Sequence, residues 1–325
     1  MKPKVFVTRR IPDKGLKMLE DKVDLKVWEG EVGPNKERII EEVAEIDGLI
    51  SLLSDPIDRE VLKAGENLKV VSNYAVGYDN IDVDAATKQG IYVTNTPGAL
   101  TDTTADLAFA LLMATARRIV EADKYTRDGN WKAWGPKLLL GQDMTNASLG
   151  IIGLGKIGQA MAKRSSGFDM DLYYYNRSSK PKVEEELNIN RLSLDELLTT
   201  CDFISLHCPL TAETEGLIGE RELKLMKENA ILINTARGKV VDQDVLYQAL
   251  KEGWIAGAGL DVFEREPIAD DNPLLELDNV VVAPHIGSAS FSAREKMAEM
   301  AAQNLLAGLE GRKPDNLVNE EALEN

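Results

Sequence analysis

The sequence predicts an α/β protein of two doubly wound parallel-sheet domains, one inserted into the other, and three observations predict it. Short β-branched or apolar runs alternate with helical segments along the chain, the rhythm of β-α-β units and hence of a parallel sheet with helices on both faces. That rhythm breaks at Asn95-Thr96-Pro97-Gly98 and resumes after a long Ala- and Leu-rich segment. Within the second stretch, Gly153-Leu154-Gly155-Lys156-Ile157-Gly158 follows an apolar run and precedes a helix-forming one, which is the context of a dinucleotide-binding turn.

Each element follows from its residues in order. The first unit has strand-like runs at 5–7, 48–51, 68–71 and 91–93. An amphipathic helix is predicted over 36–44, and shorter ones over 58–64 and 83–88. A long helix starts near Thr101 or Asp102, where capping side chains abound, and runs through Ile119 with few polar positions before Arg117. Such a helix has a wide buried surface and bridges into the second unit. Trp131-Lys132-Ala133-Trp134-Gly135-Pro136 and the leucines at 138–140 then form an irregular aromatic stretch. It reads equally as an oligomer contact or as a loop packed on its own core.

The second unit repeats the rhythm at 149–152, 171–175, 203–207, 230–234, 257–261 and 280–283, six strands in all. Residues 290–309 are helical and 311–325 form a polar tail. Because the first unit has few strands, this terminal segment is expected to return to it. The predicted division is 1–99 with 288–325 as the substrate domain and 100–287 as the cofactor domain.

Composition narrows the function classes. A chain of 325 residues accommodates about two domains. The net charge of −16 argues against general nucleic-acid binding, which needs a basic surface. No apolar run reaches the length of a membrane span, and the N-terminus lacks the apolar core of a leader. The two cysteines, Cys201 and Cys208, are too few to staple a chain of this size, so a reduced cytoplasmic protein is expected. Two cysteines and two histidines leave no metal-ligand spacing, and no metal is expected.

The glycines carry the first chemistry. Gly153 permits the tight turn, Gly155 lets backbone approach a pyrophosphate, and Gly158 lets helix and strand pack closely; Leu154, Lys156 and Ile157 complete the turn. The helix N-terminus favours the anion. Eighteen residues beyond Gly158 stands Asn176, where an NAD-binding fold normally places a carboxylate on the ribose hydroxyls. Here a neutral Asn is followed by Arg177 and Ser178, with Lys180 close behind. That set predicts a grip on a 2′-phosphate, and so NADP(H) as the preferred cofactor with NAD(H) as the alternative.

Reduction of a carbonyl by a nicotinamide needs a proton donor, a cation that holds the substrate, and a group that sets the donor's pKa. His285, after the strand at 280–282, and His207, ending the strand that begins at Phe203, both lie at carboxyl ends of the predicted sheet. Position does not separate them. Arg237, in Asn234-Thr235-Ala236-Arg237-Gly238, could grip a carboxylate and a carbonyl oxygen together. Glu266 follows the next strand, and a carboxylate bonded to a histidine favours the imidazolium.

These residues, with Tyr74-Ala75-Val76-Gly77-Tyr78-Asp79-Asn80-Ile81-Asp82, Gly259-Leu260-Asp261-Val262-Phe263 and Pro284-His285-Ile286-Gly287, are ordered motifs running nearly end to end. In them the chain resembles the D-isomer-specific 2-hydroxyacid dehydrogenases, and among those the glyoxylate/hydroxypyruvate reductases. The resemblance implies two Rossmann-like domains with Arg237 anchoring substrate, Glu266 setting a pKa and His285 donating the proton, and it demotes His207. It implies a carboxylate cradle from the Val76 and Gly77 amides, a phosphate contact from Thr104 and a carboxamide contact from Asp261. Cys208, Pro209, Thr214, Thr235, Ala236 and Arg237 are expected along the cofactor groove, and His285 and Gly287 are also expected to contact the cofactor. Trp134 is similar to an aromatic that related reductases reach across a dimer interface, so a homodimer is expected. Relatives that oxidise phosphite carry a lysine where this chain has Val76, which counts against phosphite. The expected reaction is NADPH-dependent reduction of small 2-oxo acids, glyoxylate and hydroxypyruvate, to glycolate and D-glycerate. The alternatives are a broader D-lactate or 2-ketoacid reductase, or a cofactor-sensing corepressor on the same fold.

Overall fold

A computed structural model describes residues 1–323 of the chain. They divide into two compact units, Met1–Leu100 with the segment from Ala289 onward, and Thr101–Ser288.

The first unit has β1 (Lys4–Val7), α1 (Asp13–Leu19), β2 (Asp24–Val27), α2 (Lys36–Val43), β3 (Gly48–Ser51), α3 (Arg59–Ala64), β4 (Val70–Asn73), α4 (Val83–Lys88) and β5 (Tyr92–Thr94). The five strands are parallel in the order β2-β1-β3-β4-β5. Side chains alternate across the sheet, so Val5, Val7, Ile50 and Val70 pack on one face and Phe6, Leu49, Val71 and Val93 on the other. The second of these layers is covered by α2, α3 and α4.

The second unit has α5 (Thr101–Ala116), α6 (Ile119–Arg127), β6 (Ser148–Ile152), α7 (Lys156–Ser165), β7 (Asp171–Tyr175), α8 (Pro181–Leu187), β8 (Asn190–Arg191), α9 (Leu194–Thr200), β9 (Phe203–Leu206), α10 (Glu220–Leu225), β10 (Ile231–Asn234), α11 (Gln243–Glu252), β11 (Gly257–Leu260) and β12 (Val280–Val282). The sheet is again all parallel, ordered β12-β11-β10-β9-β6-β7-β8. The chain reverses direction across the sheet between β6 and β9. In such folds ligands bind at the carboxyl ends beside that reversal. Beyond it, α12 (Phe291–Leu309), capped by Ser290, packs in the first unit on α1, β3 and β4.

Four details differ from the sequence expectation. The long helix does not reach Ile119: it ends at Ala116, Arg118 is left-handed at φ 52°, and α6 begins anew. The last turn's Ala116 carbonyl accepts from the Gln142 amide instead of from a continuing helix. The second sheet has seven strands, because the two-residue β8 is too short to show a period. The first unit gains β2, whose half-exposed edge has a weak apolar pattern. The strand expected at 68–71 lies at Val70–Asn73.

The polar tail is pinned rather than loose. Leu317 bridges Thr94, and the buried Asn319 accepts from the Val93 amide and donates to Thr87 and the Ile91 carbonyl.

Candidate active site

The glycine turn joins the fully buried β6 to α7. Gly153 has φ +97°, and a Cβ there would lie 2.6 Å from the Cys208 amide nitrogen. A Cβ on Gly158 would lie 2.3 Å from the Gly153 carbonyl oxygen. Both glycines are required by backbone packing. Gly155, the N-cap of α7, differs: a Cβ there would meet nothing within 4 Å. The middle glycine therefore leaves an open cradle at the positive end of a helix. Across the sheet, Thr235 holds a buried hydroxyl with no hydrogen-bond partner. An open cradle and an orphaned hydroxyl fit a dinucleotide whose pyrophosphate meets Gly155 and the first turn of α7.

β7 ends at Tyr175, and no carboxylate follows it. Asn176 donates to the Ser178 carbonyl at 3.1 Å, while Arg177 and Ser178 are exposed. The Lys180 amide donates to the Tyr174 hydroxyl at 2.9 Å, and that hydroxyl bonds Glu184. Arg191, on β8, donates to the carbonyls of both Asn176 and Arg177 at 3.0 Å. Sequence reasoning missed it, because its partners are backbone atoms that a motif search does not see. Thr214 accepts from the Thr211 amide and donates to the Pro209 carbonyl at 2.6 Å, shaping the turn after β9. Cys208 is buried, and burial pushes its thiol up to about 11.

The residues singled out for proton transfer meet at the other half of the sheet. After β10, the buried Asn234 accepts from the Ala236 amide and donates to the Arg237 carbonyl, fixing the loop that carries Arg237. A Cβ on Gly238 would lie 1.8 Å from the Phe263 carbonyl carbon, so only glycine lets this loop press against the one after β11. Glu266 accepts from the Phe263 amide at 3.0 Å with one oxygen and from His285 Nδ1 at 2.6 Å with the other. Burial works against the charge on Glu266. The His285 hydrogen bond and charge, helped by the Phe263 amide and the Arg237 charge, outweigh it and hold the carboxyl below its usual range. An ionised carboxylate only accepts, so Nδ1 carries a proton. Nε2 makes no hydrogen bond among the described residues.

The turn bearing His285 is held from below. Both carboxylate oxygens of buried Asp261 accept amides, from Ile286 at 2.7 Å and Gly287 at 2.8 Å, and the His285 amide donates to the Asp261 carbonyl. Thr104 donates to the Gly287 carbonyl at 2.9 Å. These contacts over-determine a conformation that costs energy, since His285 sits at φ 52°.

His207 is different. Its Nε2 shares a 2.8 Å hydrogen bond with Ser205, and burial pushes its pKa down to about 4, although the residue as a whole keeps some exposure. Near neutral pH it is uncharged.

In the first unit, the loop after β4 turns its carbonyls inward. Ala75 accepts from the Thr96 amide at 2.8 Å, Val76 from the Asn95 side chain at 2.8 Å, and Gly77 from Asn73 at 2.9 Å. A trans peptide points its C=O and N–H in opposite directions. The Val76 and Gly77 amides therefore face away from those partners, and neither donates a hydrogen bond among the described residues. Elsewhere in the second unit, Trp131 and Trp134 are exposed, 61% and 81%, so that stretch is not packed on its own core.

Residues 109–287 match the family model of the D-isomer specific 2-hydroxyacid dehydrogenase NAD-binding domain. The chain belongs to the D-isomer specific 2-hydroxyacid dehydrogenases. It is an oxidoreductase that uses a nicotinamide cofactor. Similarity extends along the whole length. A glyoxylate reductase of Korarchaeum cryptofilum is 58% identical over 99% of this chain and 98% of its own, and one of Thermococcus litoralis is 56% identical over the same shares. Among solved structures, a Thermus thermophilus protein superposes with a TM-score of 0.92 at 49% identity, over 97% of this chain and 99% of its own. An NADPH-dependent glyoxylate/hydroxypyruvate reductase from Sinorhizobium meliloti, solved with NADP and malonate, gives 0.86 at 31%, over 99% and 98%.

Proposed function

We propose that this enzyme reduces glyoxylate, and with it hydroxypyruvate, using NADPH in preference to NADH, with His285 as the proton donor. The observation that carries the reading is the Glu266–His285 pair, 2.6 Å apart, with Nε2 left unbonded at the carboxyl edge of a dinucleotide-binding sheet. The names of the glyoxylate reductases at 58% and 56% identity favour the substrate class.

When bound, the cofactor supplies a hydride to the carbonyl carbon. Gly155 and the start of α7 would hold its pyrophosphate, and Arg177, Ser178 and Lys180 its 2′-phosphate. Arg237 and the Val76 and Gly77 amides are the proposed donors to the substrate carboxylate. A guanidinium suits that task because it presents paired donors in a fixed plane. His285 Nε2 gives its proton to the carbonyl oxygen, while Glu266 holds the ring through Nδ1 and stabilises the charge it carries beforehand. Asp261 and Thr104 keep the turn bearing His285 in place.

The decisive measurement is a panel of glyoxylate, hydroxypyruvate and pyruvate assayed with NADPH and NADH in parallel. Glyoxylate and hydroxypyruvate should show the higher kcat/KM, and NADPH should outperform NADH. A clear preference for pyruvate would favour the broader 2-ketoacid reductase, and equal use of both cofactors would remove the 2′-phosphate reading. The exposed Trp131, Trp134, Leu138 and Leu140 support a homodimer. Sedimentation equilibrium should give twice the chain mass, and a monomer at micromolar concentration would discard that part.

A further inference from the structure

The loop that follows β7 is braced at both ends. At its far end the Lys180 amide donates to the Tyr174 hydroxyl and to Glu184. At its near end one nitrogen of Arg191, Nη2, donates to two successive carbonyls, those of Asn176 and Arg177. β8 pairs with β7 in the register Tyr174↔Arg191, so the guanidinium reaches forward along the sheet edge to the loop. Arg191 is exposed, and no carboxylate pairs with it among the described residues.

The consequence lies in the peptide planes. Among the described residues the only cis bond is Glu266–Pro267, so the peptides joining 176 to 177 and 177 to 178 are trans. Their carbonyls face Arg191, and their N–H groups, on Arg177 and Ser178, face the opposite way. Neither amide donates a hydrogen bond among the described residues. Two successive outward amides form an anion-binding concavity. The Arg177 side chain adds charge there, tempered by Glu213, whose carboxyl feels it.

We infer that Arg191 is a positioning residue for cofactor selection: by holding two carbonyls it aims the Arg177 and Ser178 amides at a phosphate on the adenine-side ribose. This rests on the 2′-phosphate reading above and adds a residue outside the loop itself.

The test is calorimetric titration of the full-length enzyme with NADPH and with NADH, in wild type, R191M and R191K. R191M should weaken NADPH about tenfold or more, the scale of a lost charge-assisted hydrogen bond, and change NADH less than about twofold. Retained NADH affinity also shows that the variant is folded. R191K keeps the charge but not the rigid fork, and should lie between wild type and R191M. Equal losses for both cofactors, or no loss, would overturn the inference. So would full NADPH affinity in R191K, because charge alone would then suffice. A wild type that binds both cofactors alike removes the 2′-phosphate reading and this role together, whereas a discriminating wild type matched by R191M removes Arg191 alone.

Discussion

His207 follows β9 and His285 follows β12, strands of one parallel sheet, yet the two imidazoles are built for opposite behaviour. His285 sits at a strained φ of 52°, with Nδ1 against a carboxylate held ionised and Nε2 unbonded. His207 turns its Nε2 to Ser205 and is kept neutral by burial. A carboxyl-end position thus makes a histidine available, while its surroundings set its behaviour: burial keeps His207 neutral, and a carboxylate holds the His285 ring by Nδ1 with Nε2 unbonded.

The largest effect is expected at His285. H285N should lower kcat by about 10²- to 10⁴-fold, the range for a general acid. Asn tolerates the left-handed backbone, so cofactor affinity and melting temperature should stay near those of wild type. E266Q keeps a hydrogen-bonding side chain but removes the charge, and should lower kcat by about tenfold or more, the scale of a lost charge-assisted hydrogen bond, and by less than H285N does. Steady-state rates with a saturating 2-oxo acid decide both, and near-normal turnover in H285N would end the contrast in favour of another donor.

His207 should matter for stability instead. Its folded pKa of about 4 lies below the ordinary 6.5, so between those values the unfolded chain binds more protons than the folded one. Stability from this group is complete above pH 6.5 and is lost as pH falls to about 4, at most about 3 kcal/mol over that window. Ionised carboxylates act in a lower window. Glu266, and Asp202, which is held at about 2 against burial by Lys227 and Ser148, contribute above their ordinary values of 4.5 and 3.8 and lose that contribution as pH falls further. Urea midpoints from pH 7 to pH 4 should therefore fall less steeply in H207Q than in wild type, with kcat at pH 7 little changed. Parallel pH profiles would show that His207 is not enclosed as described.

Much of this was legible in the chain. The strand-helix alternation announces two parallel sheets, because strands buried on both faces must be apolar and crossovers must be helical. The glycine spacing announces the turn, because Gly153 needs a positive φ and Gly158 has no room for a Cβ. Arg237, Glu266 and His285 were visible as residues ending strands. The two-residue β8 was not, since nothing repeats within two residues. The break after Ala116 was hidden as well, because an Ala- and Leu-rich run stays helical by propensity until Arg118 turns left-handed.

By itself, then, the sequence determined the fold class, the dinucleotide turn and a short list of chemical groups, because these follow from local periodicity and from residue types that few other roles require. Only the tertiary structure decided how that list divides. It set Glu266 against His285 and Ser205 against His207, turned the Val76 and Gly77 amides outward, and brought Arg191 to the carbonyls of a loop that no motif connects to it. Pairing, burial and peptide orientation depend on what approaches through space, and the order of residues along a chain does not specify that directly.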